Sequence, residues 1–236
     1  MPGSGEFGEL DVARDESMTE RTDEAGMMGD VPLPAILRAE HTMSMSAMVK
    51  KRWSADEARA LNEANPRHWP RYEVIDGELL VSPAPRSFHQ DAVLTLARRL
   101  SDYTDYAGVG HTMIGPADLE LEPDSTVSPD LFVTKLVNGR KPRNWKEVDE
   151  LWLAIEVLSP STARYDRVVK RAYFARNQVP EYWVVDLDAR LVERWRAGED
   201  RPEVAFGTLA WAPVAGVEQL TLSLVNLFHE VHGEEE

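Results

Sequence analysis

Two carboxylates, Asp130 in Ser128-Pro129-Asp130-Leu131-Phe132-Val133 and Glu156 in Ala154-Ile155-Glu156-Val157-Leu158-Ser159-Pro160, are the residues whose setting asks for chemistry. Asp130 begins a strand directly after a proline, and Glu156 lies late in the most apolar run of the chain. A buried carboxylate costs several kcal/mol unless it is paired, hydrogen-bonded, protonated or bound to a metal. The strand pattern leaves two answers open for Glu156, a buried ion pair with an arginine or a metal shared with Asp130. Hard oxygen ligands of this kind suit Mg²⁺ or Mn²⁺.

The elements around these acids read as a mixed α/β or α+β order, hairpin, helix, strands, helix, strands. Ser54 with Glu57 three residues on is a capping box for a short helix that stops at Asn65-Pro66. Tyr72–Ile75 and Glu78–Val81 flank Asp76-Gly77, a strong hairpin signal. Ser87 to about Tyr106 forms an amphipathic helix with Arg98 and Arg99 expected near its C-terminal end. Asp118–Glu122 alternates as a half-buried strand should. Leu151–Leu158 reads as a central strand covered on both faces. Ser161 or Thr162 caps a helix of about 163–177. Glu181–Val185 and Arg190–Trp195 follow as strands, and Val204–Phe228 as a strand pair and a closing helix.

Composition bounds the rest. The chain has 236 residues, 43% of them hydrophobic, and no cysteine, so disulfides, thiolate metal sites and cysteine nucleophiles are excluded. No run is long and apolar enough to span a membrane and the N-terminus is acidic, which predicts a soluble cytoplasmic protein with no membrane partner. The formal charge of −15 argues against a nucleic-acid partner until it is mapped. Residues 1–41 hold ten acids and three bases, and four acids lie from Glu230 onward, which leaves 27 acids against 23 bases in between. The expected organisation is an acidic disordered segment over 1–48, whose GSGEFGEL has the look of a cloning scar, a domain over 49–229, and an acidic tail over 230–236. The histidines His68, His111, His229 and His232 have no zinc-site spacing, and no phosphate loop or nucleophile elbow appears.

Pro129-Asp130, then Glu156-Val157-Leu158 after 25 intervening residues, in this element order, resembles the PD-(D/E)XK nuclease superfamily. IDGELLVSPAP with His89 in the following helix, SPDLFV, and IEVLSPSTARYDRVVKRAYFARNQVPEYWVVD resemble, more narrowly, the Uma-type restriction endonucleases over about residues 53–229. The resemblance implies a restriction-endonuclease-like core with a central mixed sheet flanked by helices. It also implies metal-dependent hydrolysis of phosphodiester bonds, in DNA, with Mg²⁺ or Mn²⁺. Asp130, Glu156 and the Val157 carbonyl would be the metal ligands. The superfamily places a lysine two residues after the second acid, where this chain has Leu158. Lys170 is the candidate replacement, because the resembled family carries a lysine in the next helix. Asp166, Lys170 and Tyr173 share a helix face at i, i+4, i+7 spacing, and without the resemblance Asp166 and Lys170 read as an exposed pair. Glu78 and His89 match family positions as an extra ligand and a general base, against plain readings as an exposed strand acid and a helix-surface residue. Arg164, Arg167 and Arg171, with Lys170 and Arg176 in the same helix, and the loop Arg140–Lys146 with Trp145 offer phosphate contacts and one stacking residue, or simply solvated faces. A nuclease cutting both strands would gain from two-fold symmetry, so a homodimer is expected. The rival readings are a catalytically degenerate protein of the same fold, binding nucleic acid or a protein partner, and a metal-free glycosidase using a carboxylate pair.

Overall fold

The computed structural model describes residues 51–67 and 69–233. The expected N-terminal acidic segment lies outside the described residues. Helix α1 (Ala55–Glu63) opens with the Ser54/Glu57 capping box. Strands β1 (Arg71–Ile75) and β2 (Glu78–Ser82) then form an antiparallel hairpin with Ile75 opposite Glu78. Asp76 (φ 54°) and Gly77 (φ 77°) are both left-handed. That is the geometry that a two-residue turn needs to follow the strand twist, and it explains why Asp-Gly stands there.

Helix α2 (Ser87–Ala107) packs Val93, Leu96, Leu100 and Tyr103 inward. It runs to Ala107, so Arg98 and Arg99 sit two turns before its end rather than at its C-terminal pole. Strands β3 (His111–Ile114), β4 (Leu131–Thr134), β5 (Leu151–Val157), β6 (Glu181–Asp186), β7 (Leu191–Arg196) and β8 (Glu203–Ala205) form one six-stranded sheet in that order. Only β5 and β6 pair in parallel; the other neighbours are antiparallel. Strands β9 (Thr208–Trp211) and β10 (Leu220–Ser223) make a separate hairpin. Helix α4 (Leu224–His232) closes the fold, carrying Glu230 with it: Thr95 and Arg99 of α2 both donate to that carboxylate, at 3.1 and 2.8 Å. None of the described helices is long and apolar enough to cross a membrane.

The parallel step from β5 to β6 is crossed by three consecutive helical segments, Ala163–Tyr165, Asp166–Lys170 and Arg171–Arg176, together called α3. The middle segment is a π turn, where one uninterrupted α-helix was expected. Thr162 occupies the N-cap position but makes no side-chain capping bond.

The central sheet separates two apolar layers. Leu153, Ile155 and Val157 of β5 pack with α2, α4 and the β9–β10 hairpin, while Ala154 and Leu158 face Tyr173 and Phe174 of α3. Strand alternation therefore puts Glu156 on the α3 side.

The segment 118–122 is not a strand. Only Leu119 bridges Val127, and the neighbouring amides are met by side chains: Ser128 Oγ accepts from Ala117 N (2.9 Å) and Tyr173 Oη from Leu121 N (3.1 Å). Alternation of apolar residues arises here because Ala117 and Leu119 dip into the core from a loop, with no strand alongside to extend a ladder. Strand β4 likewise starts at Leu131, so Asp130 stands one residue ahead of it. Strand β3 lies in a stretch to which the sequence reading assigns no element.

Candidate active site

Register brings the two acids together. In the β4–β5 pair Leu131 faces Ile155 and Phe132 faces Ala154, so one step further along the ladder Asp130 comes opposite Glu156. The Val157 amide donates to Asp130 Oδ2 at 2.8 Å and fixes the carboxylate across the end of β5. His89, in the first turn of α2, places Nε2 3.0 Å from the same oxygen. Burial pushes the His89 imidazole down, but the hydrogen bond to Asp130 and its charge outweigh that, and the pKa is raised. Asp130 and His89 are each half-buried, at the open rim of the site.

Glu156 is buried, and the cation that answers it is neither an arginine nor a lysine on its own strand. Lys170, from α3, donates to Glu156 Oε1 at 2.7 Å. The π turn ends at Lys170, and both Asp166 and Lys170 lie beneath the helix, 2 and 3% exposed. They are thus not the solvated surface pair that i, i+4 spacing suggests; Lys170 Nζ lies 3.9 Å from Asp166 Oδ1. Such single-turn π segments inside helices are frequent at functional sites.

A second carboxylate reaches the ammonium. Glu73 of β1, 3% exposed, lies 3.0 Å from Lys170 Nζ and accepts from the Ser128 amide at 2.7 Å. Burial, joined by Asp130, Asp166 and Glu73, pushes the Glu156 carboxyl upward, while Lys170 opposes this. Burial works against the Lys170 charge too, but Glu156, Glu73 and Asp166 hold it well above the ordinary lysine value. The two effects compete over one proton. A 2.7 Å separation is that of a charge-assisted bond, so we assign an ionised pair. Asp166 is raised to about 6 by burial, against the pull of Lys170 and a hydrogen bond from Thr162. Tyr165, whose buried Oη has no protein partner, is raised by burial and by the charge of Glu73.

Of the residues singled out from sequence, Asp130, Glu156, Lys170 and His89 converge, and Val157 joins them through its amide. Glu78 is exposed at the start of β2, close enough to influence Tyr165. The arginines diverge. Arg167 is bound by Glu193 (2.7 Å) and Asp186 (2.9 Å), Arg171 lies 4.6 Å over the Trp195 ring, and Arg164 is exposed. Trp145 is half-buried and packs edge-on against Phe132. Glu73 escaped the sequence reading because Tyr72 and Val74 mark the opposite face of β1 as buried. Both faces are covered here, and alternation carries no signal of that.

The donor set fits a hard divalent cation. Four carboxylates, Glu73, Asp130, Glu156 and Asp166, surround one ammonium and one imidazole, an acid excess that a cation would relieve. His89 Nδ1 and Tyr165 Oη are buried without protein partners beside it. Among the described residues no three His, Cys, Asp or Glu side chains already stand as a ligand cluster, so an ion would need water ligands as well.

A mixed six-stranded sheet flanked by helices, with acids at the ends of two central strands and a lysine beside them, defines a restriction-endonuclease-like fold. The solved structures agree. A crystal structure described as a putative nuclease belonging to DUF820, from Anabaena variabilis ATCC 29413, superposes with a TM-score of 0.58 at 18% identity, covering 75% of this chain and 98% of that one. At that identity the likeness establishes the fold alone. Residues 56–225 match the Uma2 family, described as "Putative restriction endonuclease", and the chain belongs to that family. This places it among nucleases. No curated protein matches the sequence.

Proposed function

We propose that this protein is an endonuclease that hydrolyses phosphodiester bonds in DNA with the help of Mg²⁺ or Mn²⁺. The observation that carries the reading is the Lys170 ammonium, delivered by α3 to within 2.7 Å of Glu156 on the sheet edge that also presents Asp130. Asp130, Glu156 and the Val157 carbonyl would hold the ion. Bound there, it would supply an acidified water and a positive charge for the phosphoryl oxygens.

The protein's own groups divide the remaining work. Lys170 stays protonated, so its role is electrostatic: it offers an N–H and a fixed charge to the attacking water or to the developing phosphoryl anion. His89 is held by Asp130 through Nε2, and its Nδ1, buried without a protein partner, would take part in proton transfer once a substrate or water oxygen enters the site. Glu78 would reach in from β2 as a further oxygen ligand. Exposed Arg164 and the edge of Arg171 would meet backbone phosphates, with Arg167 bracing α3 against β6 and β7. A homodimer acting in the cytoplasm would bring two such sites to the two strands.

Supercoiled plasmid, linear duplex, single-stranded DNA and RNA incubated with purified protein and Mg²⁺ or Mn²⁺ test this. Wild type should nick or linearise DNA, with Asp130→Ala, Glu156→Ala and Lys170→Ala reduced to background. Equal cleavage by all four proteins would remove the catalytic claim. Tight DNA binding with no cleavage under any metal would leave the degenerate, binding form of the fold as the answer.

A further inference from the structure

The proposed hydrolysis leaves Glu73 without a role, although burying a second carboxylate beside Lys170 costs several kcal/mol that a simple Lys170–Glu156 pair avoids. Its setting is rigid. Val74 exchanges both backbone bonds with Thr126 (2.9 and 2.8 Å), and the Asp76 turn is gripped by Arg176 of α3 at 3.1 Å. Strand β1 is thus tied both to the loop that precedes Asp130 and to the helix that carries Lys170. One oxygen, Glu73 Oε1, meets both: it accepts from the Ser128 amide at 2.7 Å and lies 3.0 Å from Lys170 Nζ. Ser128 is two residues from Asp130.

Lysine ends in a compact charge on a flexible four-carbon stem, and one carboxylate lets that charge wander around its rim. Two fixed carboxylates triangulate it. Glu156 accepts from the ammonium at 2.7 Å and Glu73 forms an ion pair with it at 3.0 Å, while Asp166, at 3.9 Å, is beyond hydrogen-bond reach.

We propose that Glu73 is a positioning residue: it holds the Lys170 ammonium against Glu156 by charge, and locks that geometry to the Asp130 segment through the Ser128 amide. This rests on the role given above to Lys170, and the experiment separates the two. The full chain is prepared as wild type, Glu73→Gln, Lys170→Met and the double variant. Mn²⁺ affinity is read from the paramagnetic resonance of the free ion, the Lys170 side chain by NMR in metal-free protein, and DNA cleavage in single turnover.

Glu73→Gln should weaken Mn²⁺ binding and slow cleavage by about tenfold each, but shift Mn²⁺ affinity by less than about twofold once Lys170 is Met, because its effect passes through that side chain. The Lys170 signal should move or broaden in metal-free Glu73→Gln. Equal losses in both backgrounds would mean that Glu73 acts on the metal directly and would overturn the proposal. So would a lower Tm with unchanged affinity and rate, the mark of a purely structural acid. If Lys170→Met fails to fold, an unshifted Lys170 signal in Glu73→Gln still refutes it. If wild type cleaves nothing, the nuclease reading fails, while the Mn²⁺ and NMR arms still decide the place of Glu73.

Discussion

Lys170→Met is the most diagnostic substitution in the metal-free protein, because it removes the ammonium from a buried acid cluster. At an effective dielectric near 20, unit charges at the observed 2.7 and 3.0 Å attract by about 6 and 5.5 kcal/mol, gross values from which the desolvation of each ion must be subtracted. Without Lys170 nothing opposes the burial that pushes Glu156 upward, and the folded protein must keep that group protonated. The folded pKa then lies further above the unfolded value of 4.5, so stability is fully present below pH 4.5 and is lost as pH rises toward the folded pKa. For one carboxyl the loss grows by about 1.4 kcal/mol per pH unit as long as the pH stays below the folded pKa. Breaking a buried pair costs about 3–5 kcal/mol in other proteins, which sets the size of loss expected near neutral pH. Urea denaturation followed by tryptophan fluorescence, wild type against variant at pH 5, 6, 7 and 8, measures this directly. A constant difference across that range, or none at pH 7, would show that Glu156 is not a buried acid held ionised by Lys170.

Three further outcomes are expected. Asp130→Asn in metal-free protein should lower the His89 pKa, since burial remains while the opposing charge is gone; NMR titration of the imidazole reads it. Because a raised histidine contributes stability below its unfolded pKa that is lost as pH rises through the folded one, this variant should also narrow the stability gap between pH 6 and pH 8. Leu158→Lys, added to Lys170→Met, should restore part of the lost cleavage, because position 158 shares the strand face of Glu156; no recovery would mean that the α3 origin of the ammonium is essential. Arg164→Ala and Arg171→Ala should each weaken DNA binding across sequences and lower the salt slope by about 1, whereas Arg167→Ala should cost stability of about 1 kcal/mol through its pairs with Asp186 and Glu193.

What sequence could carry was decided by how local the cause was. The capping box at Ser54, the Asp-Gly turn and the doubly covered strand around Ile155 were legible because turn chemistry and burial period act within a few residues. Strand β3, the loop at 118–122 and the π turn were not, since each depends on a distant partner. The same division runs through the site. Asp130 and Glu156 stand out as acids bracketed by apolar residues, a local anomaly. Glu73 is equally buried yet looks ordinary, because the surfaces that cover it come from the 126–128 segment and α3.

Why the lysine stands on a helix rather than at 158 follows from the layers. Leu158, like Tyr165 and Val169 of α3, packs against the apolar cluster that contains Tyr173 and Ala154, and so helps to join that helix to the sheet. Moving the ammonium to α3 lets position 158 remain apolar, at the cost of crossing from helix to strand with a flexible stem. The π turn brings Lys170 underneath, and Glu73 supplies the second carboxylate that holds it there. A lysine rooted in the same strand as Glu156 would be oriented by the strand itself. One rooted in a separate element needs an external brace, which ties the position of the positive charge to the β1–β2 hairpin and makes that hairpin part of the site.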